Sequence, residues 1–340
     1  MKIHAGIVAR RFGQAEKAWC VGVGIALTLS DDCLMRIKVD DVNLYFDVEG
    51  PALTPQGDTM IERPTMLLLH GGPGADHSLF KPEFAAVSDV AQIVYLDQRG
   101  SGRSDTSSPA MWNWQQWADD VAAFCRTLDI PRPVLVGASS GALVALKCAA
   151  RHPDLVAGLI LDSPLGVPTS LAETLEVFER RGGPLARDAA RRYLGGDISD
   201  DATVAWKAYA LPVYGDAAAA ADIGRRRARA RLNDDVLAAF RSGACGPADA
   251  TGFLPDIACP TLILAGEHDP VVPAAATRRF AALFTNAATT LEILPGVGHG
   301  TFRQATQQAF THVRHFITHP NVSRDGSRRP SSVTRTVEAY

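Results

Sequence analysis

Runs of apolar residues alternate with helix-like spacing from residue 36 to about 162 and again from 260 to 318. That alternation predicts an α/β chain with a mostly parallel central sheet and helices on both faces. Strands buried on both faces read as continuous apolar runs, and residues 66–69, 93–96 and 134–136 do so. Residues 159–161 form a further run that ends at Asp162-Ser163-Pro164. Residues 36–39 and 43–48, parted by Asp40-Asp41, predict an antiparallel hairpin at the sheet edge. Farther on, residues 261–264 and 291–294 read as strands and residues 274–284 and 301–317 as helices.

Between about 165 and 255 the pattern changes to helical stretches rich in Ala, Arg and Asp, broken at Gly182-Gly183-Pro184 and Gly195-Gly196 and without a strand. This predicts a helical cap over 165–255, inserted into a core made of 35–164 and 256–319. The polar tail 320–340 cannot bury enough apolar area to offset the entropy of ordering and is expected to be disordered. Residues 1–34 read as an N-terminal extension. There Arg10, Arg11 and Lys17 precede an apolar stretch, 18–29, too short to span a bilayer. A cytoplasmic chain is expected, with export by this segment as the alternative.

Composition narrows the partner. A chain of 340 residues, 46% hydrophobic and 21% charged, can bury a full core. A formal net charge of -3 creates no field that would gather nucleic acid or an anionic membrane, so a small molecule or short peptide is the expected substrate, and the oligomeric state stays open. Cys20, Cys33, Cys125, Cys148, Cys245 and Cys259 never approach metal-ligand spacing and read as reduced thiols, with Cys125 and Cys148 inside apolar helical patterns.

The strongest chemical signal is Gly137-Ala138-Ser139-Ser140-Gly141, between an apolar strand and a helical pattern. A turn this sharp needs flanking residues without bulk and pushes the Ser139 hydroxyl to the top of the sheet. Serine is a poor nucleophile at neutral pH, so it needs a base and a group that fixes the base's tautomer. Asp269 and His299 each follow a predicted strand, giving the order Ser, Asp, His; His299 lies between Gly298 and Gly300, while His4, His152, His312, His315 and His319 fall in helices or the termini and His268 stands next to the acid. His70-Gly71-Gly72-Pro73-Gly74 follows the strand at 66–69. The amides of Gly72 and Ser140 are the expected oxyanion donors, with His70 orienting the loop.

The pair His70-Gly71-Gly72-Pro73-Gly74 and Asp97-Gln98-Arg99-Gly100-Ser101-Gly102-Arg103-Ser104 resembles the proline iminopeptidase branch of the α/β-hydrolase superfamily, over about residues 36 to 318. The resemblance implies the α/β-hydrolase fold, a turn held by Asp97, Arg99 and Arg103, a triad completed by Asp269, and no metal or organic cofactor. It also implies substrate contacts from the cap stretch Ala205-Trp206-Lys207-Ala208-Tyr209-Ala210, in particular Trp206 and Tyr209. Two positions depart from the family. Ser140 stands where the family usually has Trp, which predicts a wider, more polar acyl pocket, and Ala210 stands where a glutamate receives the substrate's amino group. A buried ammonium without a carboxylate is costly, which turns the expectation from N-terminal proline release toward an ester, lactone or other amide.

Two further features read as structural. The run Arg225-Arg226-Arg227-Ala228-Arg229-Ala230-Arg231 is expected to be a solvated helix face, with recognition of an acidic substrate as the alternative. Trp112, Trp114 and Trp117 are expected to pack their helix on the sheet. The whole predicts a serine hydrolase acting by two-step acyl transfer. Other chemistries on the same triad, or a non-catalytic ligand receptor on the same fold, are the rivals.

Overall fold

The computed structural model describes residues 35–318 apart from Pro168. The expectations for residues 1–34 and 320–340, with Cys20 and Cys33, lie outside the described residues.

Strand β1 (Arg36–Val39) turns back through Asp40-Asp41 into β2 (Val42–Glu49), and the two pair antiparallel at one edge of an eight-stranded sheet. β2 runs antiparallel to β6 (Gln92–Leu96), which pairs parallel with β5 (Thr65–Leu69). From β5 the parallel sheet continues through β7 (Val134–Ala138), β8 (Gly158–Asp162) and β9 (Thr261–Gly266) to β10 (Thr289–Leu294). A separate hairpin of β3 (Leu53–Gln56) and β4 (Thr59–Glu62) lies almost wholly in solvent and was not legible in the apolar pattern.

The central strands are apolar throughout because both faces are covered. Successive residues of β5 serve opposite layers, as a period of two requires. Leu67 and Leu69 join the core under α1 (Trp114–Thr127) and α2 (Ser140–Arg151), while Met66 and Leu68 join the core under α9 (Thr306–Thr318). Trp112, Trp114 and Trp117 are buried in the first of these, and each indole N–H donates to a backbone carbonyl, of Thr106, Gly246 and Arg99 respectively, at 2.8–3.0 Å. Cys125, Cys148, Cys245 and Cys259 are free thiols, and burial pushes Cys125 up to about 12.

Between β8 and β9 lie α3 (Leu171–Leu194), α4 (Asp200–Ala205), a π-helical turn (Trp206–Ala210), a 3-10 turn (Leu211–Tyr214), α5 (Ala217–Arg229) and α6 (Asp234–Arg241). The helical stretch α3 is two helices joined at a kink where Gly183 takes φ 76 just before Pro184, since proline tolerates a helix start but not its interior. Phe178, Ala189, Trp206 and Val213 give this insertion a small core of its own. Helix α7 (Ala274–Ala281) lies between β9 and β10, and the expected single helix over 301–317 is instead α8 (Thr301–Gln304) and α9, because Ala305 leaves the helical region at φ -134, ψ 49. Neighbouring sheet positions are taken by β6 and β7 on either side of β5, so the chain reverses its winding there, and a crevice opens beyond the carboxyl ends of β5 and β7.

Candidate active site

Ser139 occupies the turn from β7 into α2 with φ 51 and ψ -116, a conformation that L-residues rarely hold. The neighbouring glycines make room for it. A Cβ on Gly137 would sit 2.5 Å from the Ala142 Cα, and one on Gly141 would sit 2.0 Å from the Leu69 carbonyl oxygen. The Ser139 amide donates to the Asp162 carbonyl at 2.9 Å, and its own carbonyl accepts from Leu165 at 3.0 Å. Backbone bonds thus hold the turn while the Ser139 hydroxyl makes no hydrogen bond among the described residues.

Asp269 and His299 meet. The imidazole Nδ1 stands 2.9 Å from Oδ2 and 3.1 Å from Oδ1 of Asp269, and both side chains are buried. Oδ1 also accepts from the amides of Val271 (2.8 Å) and Val272 (2.9 Å), which fixes the carboxylate in its loop. The His299 loop is held by Gly300 donating to Ser163 Oγ at 3.0 Å and by Thr301, whose amide and hydroxyl both donate to Asp162 Oδ1 at 2.8 Å. Burial pushes the Asp162 carboxyl above the usual carboxylate range. Ser139 and His299 line one cavity without a direct hydrogen bond between them among the described residues.

Gly72 and Ser140 line the same cavity, and neither amide donates to another group of the chain among the described residues. Ser140 begins α2, where the first amides of a helix have no intrahelical acceptor. His70 fixes the Gly72 loop through its tautomer. Gln98 donates its amide to His70 Nε2 (3.2 Å), so the ring proton sits on Nδ1, which faces the Gly71 carbonyl at 3.0 Å. Burial pulls the His70 imidazole below its ordinary value, which keeps it neutral for that role.

The turn after β6 is tied as the resemblance implied. Asp97 accepts from the His77 amide (2.8 Å), from His77 Nδ1 (2.7 Å) and from the Arg103 amide (2.8 Å). Burial alone would raise its carboxyl, but the bonds and charge of His77 outweigh burial and hold it below the usual range. Arg99, fully buried, forks onto Asp120 at 2.7 and 2.8 Å and onto Asp41 at 3.0 and 2.7 Å. Arg103 reaches Asp76 at 3.0 Å.

The cavity has a volume of about 250 Å³, and the insertion supplies much of its wall. Trp206 lines it, stacked on Tyr193 with ring centroids 4.2 Å apart. Tyr209 does not; it is 47% exposed and outside the lining, because three positions along the π-helical turn carry it round to the outer surface. Ala210 is fully buried and brings no carboxylate. Pattern reading missed Tyr214 and Arg303, which also line the cavity, as does Arg227 from the arginine run. Arg225, Arg229 and Arg231 of the arginine run are exposed, as expected of a solvated face, but Arg226 is buried and ion-paired with Asp222 one turn back and with Glu83, which helix spacing alone could not place. Among the described residues, no three His, Cys, Asp or Glu side chains group so as to hold a metal ion, and no helix is long and apolar enough to cross a membrane.

Comparison with known proteins identifies the fold family. The profile of the α/β hydrolase fold family matches residues 64–305. A 2-(acetamidomethylene)succinate hydrolase of Mesorhizobium japonicum is 30% identical over 244 residues, 69% of this chain and 81% of that protein. A proline iminopeptidase of Arabidopsis thaliana is 34% identical over 134 residues, 37% of this chain and 31% of its own. The solved proline iminopeptidase of Mycobacterium smegmatis superposes with a TM-score of 0.65 at 20% identity, covering 85% of this chain and 99% of that one, which speaks for the fold alone.

Proposed function

Because the chain belongs to the α/β-hydrolase fold family, we propose that it is a serine hydrolase that cleaves a small ester or amide by two-step acyl transfer. One observation carries the reading: an imidazole bonded through Nδ1 to a loop-locked carboxylate shares a cavity with a serine in a strained strand-to-helix turn.

In this mechanism Ser139 Oγ attacks the substrate carbonyl while His299 Nε2 takes its proton, and Asp269 holds the tautomer and stabilises the imidazolium. The tetrahedral oxyanion rests on the Gly72 and Ser140 amides. His299 then protonates the leaving group, and a water activated by the same imidazole releases the acid and restores the serine. The buried Ala210 favours esters, lactones and neutral-ended amides over N-terminal proline, because nothing at that position would balance an ammonium. The Arabidopsis relative named as a proline iminopeptidase keeps that activity as the second reading.

Labelling with a fluorophosphonate, together with turnover of p-nitrophenyl butyrate, tests the assignment. Wild-type protein is expected to be labelled, and Ser139→Ala to lose the label with a fall in kcat on the order of 10⁶-fold. Persistent labelling in that variant rejects Ser139 as the nucleophile.

A further inference from the structure

The arginine run divides by what each guanidinium touches. Arg225 meets Asp222 at 3.4 Å, Arg226 is shared between Asp222 and Glu83, and Arg229 donates to the Ser78 carbonyl at 3.0 Å. Arg227 differs. Four residues after Ile223 on α5, it shares that residue's helix face, lines the cavity with it, and makes no ion pair or hydrogen bond among the described residues.

Arg303 brings a second guanidinium to the same lining from α8, four residues beyond His299. Its Nη2 donates to the His299 carbonyl at 3.3 Å, and no carboxylate stands within ion-pairing distance of it among the described residues. The acids in its neighbourhood are committed elsewhere. Asp222 and Glu83 are bound to Arg226, and Asp162 is held by Thr301. Burial pulls the Arg303 guanidinium below its ordinary value, with Asp162 the main opposing influence. Arginine does not surrender its proton in proteins, so what burial leaves is a cation short of counter-charge beside the reacting carbonyl. Asp234, the remaining acid of the lining, is exposed at the start of α6, where water screens it.

We infer that the substrate carries a carboxylate, and that Arg227 and Arg303 hold it while the scissile carbonyl lies at Ser139. The identity of the broken bond rests on the hydrolase reading above; the anion site does not. A planar guanidinium fork matches a carboxylate in charge and geometry, and a cavity of about 250 Å³ suits a short acyl chain with one acidic end.

Binding tests the anion site without turnover. In isothermal titration of the intact protein, glutarate is expected to bind about tenfold tighter than glutaramide or better, and the Arg227→Gln/Arg303→Gln double variant to lose the difference. Equal affinities, or no binding of either, overturn the inference using wild-type protein alone. Kinetics give a second arm, comparing mono-p-nitrophenyl glutarate with p-nitrophenyl butyrate. The ratio of their kcat/KM values is expected to favour the acid, to fall about tenfold in Arg227→Gln, and to be better kept in Arg227→Lys. A ratio near one, with the butyrate ester turned over, sinks the anion site and spares the hydrolase. Glutarate binding that persists while neither ester is cleaved sinks the hydrolase and spares the anion site.

Discussion

The backbone amide of His299 donates to the carbonyl of Tyr214 at 2.8 Å, and the Tyr214 ring meets the imidazole edge-on with centroids 5.0 Å apart. The loop that carries the proposed base is thus pinned by the helical insertion as well as by the sheet. Gln304 reinforces the joint, donating to both the Tyr214 and His299 carbonyls at 2.9 and 2.8 Å. The contact depends on Gly298, where a Cβ would sit 1.9 Å from the Tyr214 oxygen.

Gly298→Ala is therefore expected to move the His299 loop, and a displacement of about 1 Å costs on the order of 10²-fold in rate. Steady-state kinetics on a p-nitrophenyl ester provide the check. Wild-type kcat/KM in this variant would show that the loop position is irrelevant.

Asp269→Asn separates geometry from chemistry. The amide oxygen can still accept from Val271 and Val272, which keeps the loop. Its NH₂ then faces His299 Nδ1 and forces that nitrogen to accept, leaving the proton on Nε2, where it cannot take one from serine. A fall in kcat of about 10⁴-fold is expected with little change in melting temperature. A small kcat effect would shift the acid's role to another residue.

The strain at Ser139 predicts a gain in stability from losing function. Glycine accepts φ 51 without steric cost, so Ser139→Gly is expected to be inactive and more stable by about 1 kcal/mol, or about 2 °C by calorimetry. A variant less stable than wild type would mean that the serine side chain contributes packing that outweighs its strain.

Asp97 gives a pH signature. Its folded value lies below the ordinary 3.8, so its stabilising effect is complete above the unfolded-chain value and is lost as pH falls through the lower folded one. Urea unfolding at pH 7 is expected to show Asp97→Asn less stable by about 3 kcal/mol, with the gap narrowing in increasingly acid buffer. A gap that widened in acid would contradict the sign of the shift.

What the sequence revealed follows from which groups have residue-type signatures. Strands β5, β6, β7, β8 and β9 were legible because burial on both faces demands apolar residues, whereas the hairpin β3–β4 offers exposed side chains and no such demand. Ser139, Asp269 and His299 stood out because glycines and strand ends frame them. Tyr214 did not, since its hold on His299 is a carbonyl that every residue possesses. Arg226 and Arg227 are adjacent in sequence, and it is Glu83, brought in from another part of the chain to join Asp222, that helps make one a buried ion-pair partner while the other stays on the cavity wall.

The unclaimed amides of Gly72 and Ser140 belong to the main chain, so exchanging side chains for anything but proline does not delete them. Under the proposed mechanism, a descendant that lost its nucleophile would keep a cradle for a carbonyl oxygen and go on capturing ligands without transforming them. Within such a lineage, the step from catalyst to sensor is one codon long.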